Sequence, residues 1–329
     1  MSVLVTGGAG FIGSVTSREL LKQGYDVVIL DNLSYGHKQT LPKKSKFIEA
    51  DLLDKASVLS ILKKEKIDAV IHFAGFTSVG ESVREPLKYF TNNVLSGINL
   101  LDSMIEVGAD KMIFSSSAAV YGDPKRIPIK EEDELNPESP YGESKRLFEG
   151  FLGWYDMAHG IRSVSLRYFN AAGADLENGL GEDHDPETHL IPLILQTASG
   201  KRKQIDIYGT DYDTPDGTCV RDYVHVKDLA AAHILALKRL ENGGASSQYN
   251  LGSSKGHSVR EVIDMCKKVT GKNIKAVEAP RRPGDPPKLV ASSDKVQKEL
   301  SFKFKHSDIK NIIETAWEWH SKHPKGYQA

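Results

Sequence analysis

Residues 2–14 read SVLVTGGAGFIGS, an apolar stretch followed by spaced glycines. The apolar residues predict a buried strand, Ser2–Thr6, and the residues after the glycines predict a helix, Phe11–Gln23. Gly7, Gly10 and Gly13 lie between the two, where the backbone must turn tightly and let a pyrophosphate come close. Strand, glycine turn and helix in this order predict a dinucleotide site, with the phosphates at the N-terminus of the helix.

The next predicted strand, Asp26–Leu30, is followed by an acidic residue, Asp31. A carboxylate in this position can accept a hydrogen bond from the ribose 2′-hydroxyl of a dinucleotide. Because it would repel a 2′-phosphate, the sequence favours NAD over NADP as the cofactor. The competing interpretation is a glycine turn without a ligand and Asp31 as a surface charge.

Short apolar segments alternate with helical patterns over the first half of the chain. Further strands are predicted at 47–50, 69–72, 112–114, 164–166 and 248–251, and helices at 86–106, 141–159, 190–199, 226–240 and 309–321. This alternation predicts an α/β fold, a Rossmann-like doubly wound parallel sheet covered on both faces. We expect an NAD-binding domain at 1–170 and a smaller α/β domain at 171–329 that mainly binds the substrate. The chain is expected to return to the first domain near 223–250.

The composition excludes several classes of protein. The 329 residues contain 43 Lys plus Arg and 44 Asp plus Glu without a long basic run, which argues against nucleic-acid binding. No apolar stretch approaches the roughly 20 residues needed to span a bilayer, and the N-terminus lacks the pattern of a signal peptide. The two cysteines, Cys219 and Cys266, lack metal-ligand spacing and fit a reducing compartment. We therefore expect a cytoplasmic protein without a membrane or nucleic-acid partner.

The run SPYGESK places Tyr141 and Lys145 four residues apart at the start of a predicted helix. Such residues share one helix face, and a nearby ammonium lowers the pKa of a phenol from its usual value of about 10. The pair can therefore accept a proton from an alcohol. Ser117, at the end of a predicted strand, could share that proton. The alternative is an exposed helix start with a solvated lysine.

Other strand ends supply candidate cofactor contacts. Asp51 and Leu52 could reach an adenine, although Asp51 could equally be a helix N-cap. The run Phe73–Gly75 follows a strand where the cofactor should cross the sheet. Ser115 and Ser116 are expected to satisfy backbone groups.

The second half of the chain holds candidate substrate contacts. Asn170 ends a strand in the same cleft, and Arg221 and Arg282 carry guanidinium groups suited to phosphates. Asp285 could accept ribose hydroxyls. A surface location is the alternative for these arginines. The acidic run 183–185, with one histidine, is expected to be a solvated loop and not a metal site.

The whole chain resembles the extended short-chain dehydrogenase/reductase family, and within it the branch that epimerises UDP-hexoses. The matching runs are TGGAGFIGS, DNLSYG, IHFAG, VGESV, NNV, FSSSAAVYG, SPYGESK, LRYFNAAGA, DGTCVRDYVHV, YNLG, RRPGD and WxWHxxHPxGY. The resemblance implies Tyr141, Lys145 and Ser117 as catalytic residues. It implies NAD contacts from Gly7, Gly10, Phe11, Ile12, Gly13, Asp31, Asn32, Asp51, Leu52, Phe73, Ala74, Gly75, Asn92, Ser115, Tyr141, Lys145 and Tyr168. It implies substrate contacts from Ser117, Tyr141, Asn170, His189, Leu190, Ile207, Tyr208, Arg221, Arg282 and Asp285.

The activity implied by this resemblance is the interconversion of UDP-glucose and UDP-galactose. Tyr141 would deprotonate the sugar 4-hydroxyl while hydride passes to NAD, the 4-keto sugar would rotate, and hydride would return to its other face. Thr77 stands where some relatives carry lysine, which puts one cofactor contact in doubt. Leu289 stands at the hexose wall, so epimerisation of UDP-GlcNAc and UDP-GalNAc stays open.

Rival functions remain at this point. A UDP-uronate 4-epimerase is one. A 4,6-dehydratase would need the acid–base pair Asp-Glu where this chain has Ala118 and Ala119. A non-catalytic NAD-sensing module would not need the tyrosine, lysine and serine. The family commonly forms homodimers through the two long helices, 86–106 and 141–159, so a homodimer is expected.

Overall fold

A parallel sheet of seven strands carries the glycine turn near its middle. The computed structural model describes residues 1–282 and 285–327, so Pro283 and Gly284 of the RRPGD run lie outside the described residues. The strands in chain order are β1 (Ser2–Thr6), β2 (Asp26–Asp31), β3 (Lys46–Glu49), β4 (Ala69–His72), β5 (Lys111–Ser117), β6 (Arg162–Tyr168), β7 (Asn170–Ala172), β8 (Ile205–Tyr208), β9 (Val220–His225), β10 (Ser247–Leu251), β11 (Gly256–Ser258), β12 (Ala276–Ala279) and β13 (Lys288–Leu289).

Helices cover both faces of this sheet and build most of the second half of the chain. They are α1 (Phe11–Lys22), α2 (Lys55–Glu65), α3 (Val79–Arg84), α4 (Pro86–Phe90), α5 (Ser96–Val107), α6 (Pro140–His159), α7 (Leu190–Ala198), α8 (Val226–Glu241), α9 (Val259–Thr270), α10 (Asp294–Leu300) and α11 (Ile309–Lys322). Among the described residues, none of these helices is both apolar enough and long enough to cross a bilayer.

The order of the main sheet is β10-β6-β5-β4-β1-β2-β3, and every neighbouring pair is parallel. Its central strands are apolar runs buried on both faces; Val3, Leu4 and Val5 of β1 have no exposed surface. The predicted α/β class and Rossmann-like parallel sheet are confirmed. The split into domains at residue 170 stays a prediction.

Helix α6, which carries Tyr141 and Lys145, begins and ends at strong local signals. The Ser139 hydroxyl accepts the N–H of Gly142 at 3.1 Å, and Pro140 occupies the first helical position. The helix stops at Gly160, whose φ of 72° lies in the left-handed region that favours glycine. These signals fix the register that places Tyr141 at the cleft.

The predicted helix at 86–106 is interrupted. A turn of π-helix, Thr91–Leu95, separates α4 from α5. The sequence prediction of one continuous helix was wrong here, because a π-turn needs no special residue type and leaves the helical pattern intact. Such turns are frequent at functional sites, and this one contains Asn92.

The C-terminal half contains two small sheets that the sequence analysis did not predict. Strand β9 pairs with β7, β11 and β13, and β8 pairs with β12. These strands have two to six residues and mixed polarity, so they lack the continuous apolar runs of the main sheet.

Candidate active site

The predicted cofactor and catalytic residues converge where the strand order reverses. Strand β1 lies between β2 and β4. From β1 the chain adds β2 and β3 on one side and then returns to add β4 on the other side, so the strand order reverses at β1. In open α/β sheets ligands bind in the crevice at this point. The glycine turn after β1, the turn after β4 and the end of β5 all open onto it.

The glycine turn is packed too closely for side chains. A Cβ built on Gly7, whose φ is 69°, would lie 2.6 Å from the backbone nitrogen of Ala74. One built on Gly13 would lie 2.3 Å from the carbonyl oxygen of Gly7. The N-cap of α1 is Gly10, which has no side chain to cap the helix. The N–H groups of the first turn are therefore open to an anion, as a pyrophosphate requires.

Asp31 is held in place at the end of β2. Its carboxylate accepts the backbone N–H of Ala9 at 3.0 Å and that of Leu33 at 2.8 Å. Burial raises the pKa of Asp31, and these two hydrogen bonds oppose the rise. The carboxylate retains further lone pairs, so it can still accept from ribose hydroxyls.

Asn32 and Asp51 connect the ends of β2 and β3. The Asn32 amide donates to the Asp51 carboxylate at 3.0 Å, and that carboxylate also accepts the N–H of Leu53 at 2.8 Å. Helix α2 is capped by Asp54 instead, whose side chain accepts the N–H of Ser57. The alternative of Asp51 as the helix N-cap was therefore wrong, and its role at an adenine stays a prediction.

Tyr141, Lys145 and Ser117 are brought together and buried. Their exposed fractions are 9%, 4% and 9%. The Lys145 Nζ lies 6.0 Å from the centre of the Tyr141 ring and donates to the Ser115 carbonyl at 2.9 Å. The Ser117 hydroxyl accepts the N–H of Ala119 at 3.1 Å. Buried side chains with hydrogen-bonding groups in a cleft are suited to proton transfer.

The protein alone does not lower the phenol pKa as the sequence analysis expected. Burial raises the pKa of Tyr141, and the neighbouring Ser117 hydroxyl lowers it to a smaller extent. Burial also lowers the pKa of Lys145 to about 8, against the attraction of Glu149. Removal from water disfavours both charged forms, so a further positive charge beside the phenol is needed to favour the phenolate.

The serines before Ser117 bind side chains, contrary to expectation. Ser115 forms a hydrogen bond with the Tyr168 hydroxyl, and Ser116 donates to Glu149 at 2.5 Å. The prediction that both satisfy backbone groups was wrong, because β5 already pairs with β4 and β6 through its backbone. The hydrogen bond between Ser115 and Tyr168 joins β5 to β6 next to Lys145, which donates to the Ser115 carbonyl.

The Glu149–Arg167 ion pair behind the site was missed by the sequence analysis. Their side chains are 6% and 5% exposed, with a shortest distance of 2.6 Å. Arg167 also donates to the Tyr121 hydroxyl at 2.8 Å, which donates to Asn250 at 2.7 Å. This network ties α6 to β5, β6 and β10. No local pattern could reveal it, since its members are distant in sequence.

Asn93 is a second residue that the sequence analysis missed. Its amide group accepts the N–H of Phe76 at 2.8 Å, donates to the Phe76 carbonyl at 3.0 Å, and donates to the Ser144 hydroxyl at 3.1 Å. The predicted cofactor residue Asn92 donates to the Asn93 carbonyl group at 3.0 Å. Asn93 therefore joins the π-turn, the loop after β4 and α6. Its neighbours in the run NNV give no sign of which asparagine is buried.

Three of the predicted substrate residues lie in or beside β9. The Asn170 amide donates to the Asp222 carbonyl at 2.8 Å. Arg221 and Asp285 form an ion pair of 2.5 Å, and Arg221 also donates to the Pro286 carbonyl at 2.9 Å. Arg221, one of the two cations expected at a nucleotide, is thus adjacent to the carboxylate expected there, Asp285.

Arg282 lies over an aromatic ring. Its guanidinium carbon is 3.8 Å from the centre of the Tyr208 ring, a cation–π arrangement that holds the cation at the edge of β8. Ile207 is 3% exposed and belongs to the core between α7, α9 and α11. Its side chain cannot reach a substrate, so the predicted contact could involve only its backbone. Leu190 packs against the same core from the start of α7.

Comparison with known proteins shows which family has this fold and site. The NAD dependent epimerase/dehydratase family matches residues 3–252. The chain belongs to this family. A UDP-glucose 4-epimerase of Lacticaseibacillus casei is 51% identical over 327 residues, which cover 99% of both chains. A crystal structure of a UDP-glucose 4-epimerase has a TM-score of 0.97 at 49% identity and covers 100% of both chains. The Bifidobacterium longum UDP-glucose 4-epimerase in complex with NAD+ and UDP has a TM-score of 0.93 at 41% identity, covering 99% of this chain and 100% of that one.

The resemblance stated from the sequence is confirmed by these relatives. Within the epimerase/dehydratase family, the residues after β5 separate the two chemistries that its name contains. Ala118 and Ala119 begin a short 3₁₀ turn directly after Ser117. Methyl groups cannot transfer protons, so this member lacks the acid–base pair that a dehydratase needs at this place.

The residues of the crevice fit NAD. The side-chain-free glycine turn, the open N-terminus of α1 and the fixed carboxylate of Asp31 match a pyrophosphate and an unphosphorylated adenosine ribose. Phe73 and Ala74 lie where the turn after β4 meets Gly7. Lys145 lies beside the same turn, because a Cβ built on Gly75 would be 3.5 Å from its Nζ.

Proposed function

We propose that this chain interconverts UDP-glucose and UDP-galactose by inverting the configuration at sugar C4, with NAD bound in the crevice. The observation that carries the proposal is the buried group of Tyr141, Ser117 and Lys145 beside a crevice shaped for NAD. Relatives about half identical over their full length, named UDP-glucose 4-epimerase, support it. A position in galactose metabolism follows from these two sugars.

The cofactor is expected to contact Gly7, Gly10, Phe11, Ile12, Gly13, Asp31, Asn32, Asp51, Leu52, Phe73, Ala74, Gly75, Asn92, Ser115, Tyr141, Lys145 and Tyr168. When bound, NAD supplies a hydride acceptor that becomes the donor in the reverse transfer, and its positively charged ring favours the Tyr141 phenolate. Since the cofactor is regenerated in each cycle, tight retention is expected.

Tyr141 moves the proton in this proposal. As a phenolate, its oxygen takes the proton from the sugar 4-hydroxyl and becomes the neutral phenol, and it returns this proton after the 4-keto sugar has presented its other face. Ser117 holds the same proton in a shared hydrogen bond, and Lys145 stabilises the phenolate. The burial of all three excludes water, which would otherwise exchange with the transferred proton.

The sugar must turn within the cleft, so binding has to rest on the nucleotide. Asn170, Leu190, Tyr208 and Arg221 are proposed to hold the UDP, together with the backbone of His189. They are joined by Arg282, Asp285 and the backbone of Ile207. Arg221 already forms an ion pair with Asp285, and phosphate oxygens could join this pair without reorganising it. A loosely held hexose can then rotate about the diphosphate link.

Replacing Tyr141 with phenylalanine tests the proposal. Turnover of UDP-galactose to UDP-glucose, followed in a coupled assay, should fall at least about 100-fold, because general base catalysis contributes about 10²–10⁴. Bound NAD, released by denaturation and quantified, should stay at the wild-type level. Tyr25→Phe is a matched control, since the Tyr25 hydroxyl bonds Glu241 at the surface. Wild-type turnover in Tyr141→Phe would reject the assignment.

A homodimer is proposed from the exposed apolar residues of two helical regions. Leu87 on α4 is 77% exposed, and Trp154 and Met157 on α6 are 66% and 78% exposed. These are the regions that the sequence analysis assigned to an interface between copies. Light scattering should give twice the chain mass for the wild type and a smaller mass for Met157→Asp.

A cytoplasmic location is proposed because the two cysteines are free and buried. Fractionation of the source cells would test it.

A further inference from the structure

A cluster of four possible metal ligands lies in the segment that leads into α7. Glu182, His184, Glu187 and His189 each offer one ligand atom, and these atoms all lie within 4.8 Å of one another. The sequence analysis considered only residues 183–185 and expected a solvated acidic loop. That expectation did not include Glu182 and Glu187, whose side chains are nearly inaccessible.

The acidic residues between them take no part in the cluster. The Asp183 carboxylate accepts the N–H of Tyr327 at 2.8 Å and lies 3.6 Å from the ring of His37. Asp185 is exposed. Of the four acidic residues at 182–187, the first and the last therefore belong to the buried cluster.

The nitrogen–oxygen distances within the cluster are close to the edges of one coordination tetrahedron. Nδ1 of His189 lies 2.9 Å from Glu182 and 3.1 Å from Glu187. Nδ1 of His184 lies 3.5 Å from Glu182 and 3.6 Å from Glu187. Zinc bonds of about 2.0–2.1 Å give tetrahedral edges of about 3.3–3.4 Å. The His184 distance is to Oε2 of Glu187 and the His189 distance is to Oε1. Because the ligand atoms lie within 4.8 Å of one another, they would have to close in by up to about 1.4 Å for one ion to reach all four residues.

Burial and hydrogen bonding give an independent reason for an ion. The side chains of Glu182 and Glu187 are 5% and 4% exposed, so two carboxylates share a site with little water. Nδ1 of His184 is buried and has no hydrogen-bond partner. A buried ring nitrogen without a partner is costly, and a shared cation satisfies it together with both carboxylates.

The surroundings also suit a metal. Oε1 of Glu187 accepts the backbone N–H groups of Thr188 and His189 at 2.7 and 2.8 Å, which orients the carboxylate as outer hydrogen bonds orient metal ligands. The side chain of His189 is 43% exposed, which provides an entry path. Two imidazoles in the set favour zinc over magnesium or calcium, which prefer oxygen ligands alone.

We infer that Glu182, His184, Glu187 and His189 bind one Zn²⁺ ion in a four-coordinate site. Four protein ligands leave no open position, so the ion is structural and fixes the segment before α7. The competing arrangement is a network of two protonated imidazoles and two carboxylates that binds no metal.

Metal content of the full-length protein decides between these arrangements. The protein is stripped with a chelator, incubated with zinc sulfate, desalted and measured by mass spectrometry of the element. We expect about one zinc per chain in the wild type and in His159→Gln, a matched control on the exposed end of α6. His184→Gln should retain less than about a tenth of this amount. The variant lacks one of the four ligands, and even the loss of an outer-shell partner weakens metal binding about 10–100-fold. A wild type without zinc, or a His184→Gln variant with the wild-type content, overturns the inference.

Two measurements on the wild type keep the test valid if His184→Gln folds poorly. Zinc at about 100 times its dissociation constant should raise the Tm by roughly 4 °C, whereas the same concentration of magnesium should not. Cobalt in place of zinc should give the strong visible absorption of four-coordinate Co²⁺, which zinc removes at about one equivalent. Equal stabilisation by magnesium, or a weak six-coordinate cobalt spectrum, contradicts the assigned site. Neither measurement depends on epimerase activity.

Discussion

Replacing Gly13 or Gly10 with alanine should separate two requirements of the glycine turn, which are close packing of the backbone and access for the pyrophosphate. A Cβ at Gly13 would lie 2.3 Å from the Gly7 carbonyl oxygen and 2.9 Å from the Gly8 Cα. Both are backbone atoms, so no change of rotamer relieves the collision. A Cβ at Gly10 would meet only the Gly7 oxygen, at 3.3 Å. Gly10 also has a φ of −82°, which any residue can adopt.

The collision at Gly13 requires the turn to move by about 1 Å. Overpacking costs about 1–3 kcal/mol and sometimes more, and we expect about 3 kcal/mol here because only backbone can give way. With an unfolding entropy of about 2.1 cal/mol/K per residue, this lowers the Tm of the chain by roughly 4 °C. Gly10→Ala should cost less than about 1 kcal/mol. Its methyl group would instead occupy the space through which the pyrophosphate approaches the helix N-terminus.

Calorimetry of NAD-depleted protein measures the first effect, and NAD titration of the same samples measures the second. Gly10→Ala should keep the wild-type Tm but bind NAD at least about tenfold more weakly, a loss of about 1.4 kcal/mol. Gly80→Ala is the matched control, because a Cβ there meets nothing within 4 Å. If Gly13→Ala melted within 1 °C of the wild type, the steric argument would be refuted.

Three further perturbations probe the residues behind the site. Glu149→Gln should lower the free energy of unfolding in urea by about 3–5 kcal/mol, since it leaves Arg167 buried without its partner. The double variant Glu149→Met/Arg167→Met should lose clearly less than Glu149→Met and Arg167→Met lose together, and strict additivity would contradict the coupling. Burial lowers the pKa of Lys145 to about 8, below its ordinary 10.5, so the unfolded chain binds the extra proton between these values. The stability of NAD-depleted wild type should therefore rise relative to Lys145→Met as the pH rises from about 8 to 10, and parallel pH curves would disprove this. Asn93→Ala should cost about 2–3 kcal/mol and lower NAD affinity in titration calorimetry, because it frees buried groups of Phe76 and Ser144; unchanged affinity would separate Asn93 from the cofactor crevice.

The sequence predicted the main sheet well because its signals are local. Strands β1 and β4 are largely continuous apolar runs, and glycines mark the turns that follow them. The catalytic pair was also predictable, since Tyr141 and Lys145 are neighbours on one helix.

The remainder depended on contacts that no local pattern encodes. The short strands β7 and β13 exist because each of them pairs with β9. The partners of Ser116 and the burial of Asn93 depend on how α6 crosses the sheet. The inward orientation of Glu182 and Glu187 depends on the path of an irregular segment, and periodicity carries no information about such a path.

The position of β10 affects how the protein can be made. This edge strand pairs with β6, yet its residues follow those of β6 by more than seventy positions. During synthesis the ribosome must release most of the chain before this edge can close. Until then β6 is an uncovered edge to which another polypeptide could attach, and a truncated product ending near residue 170 would keep that hazard permanently.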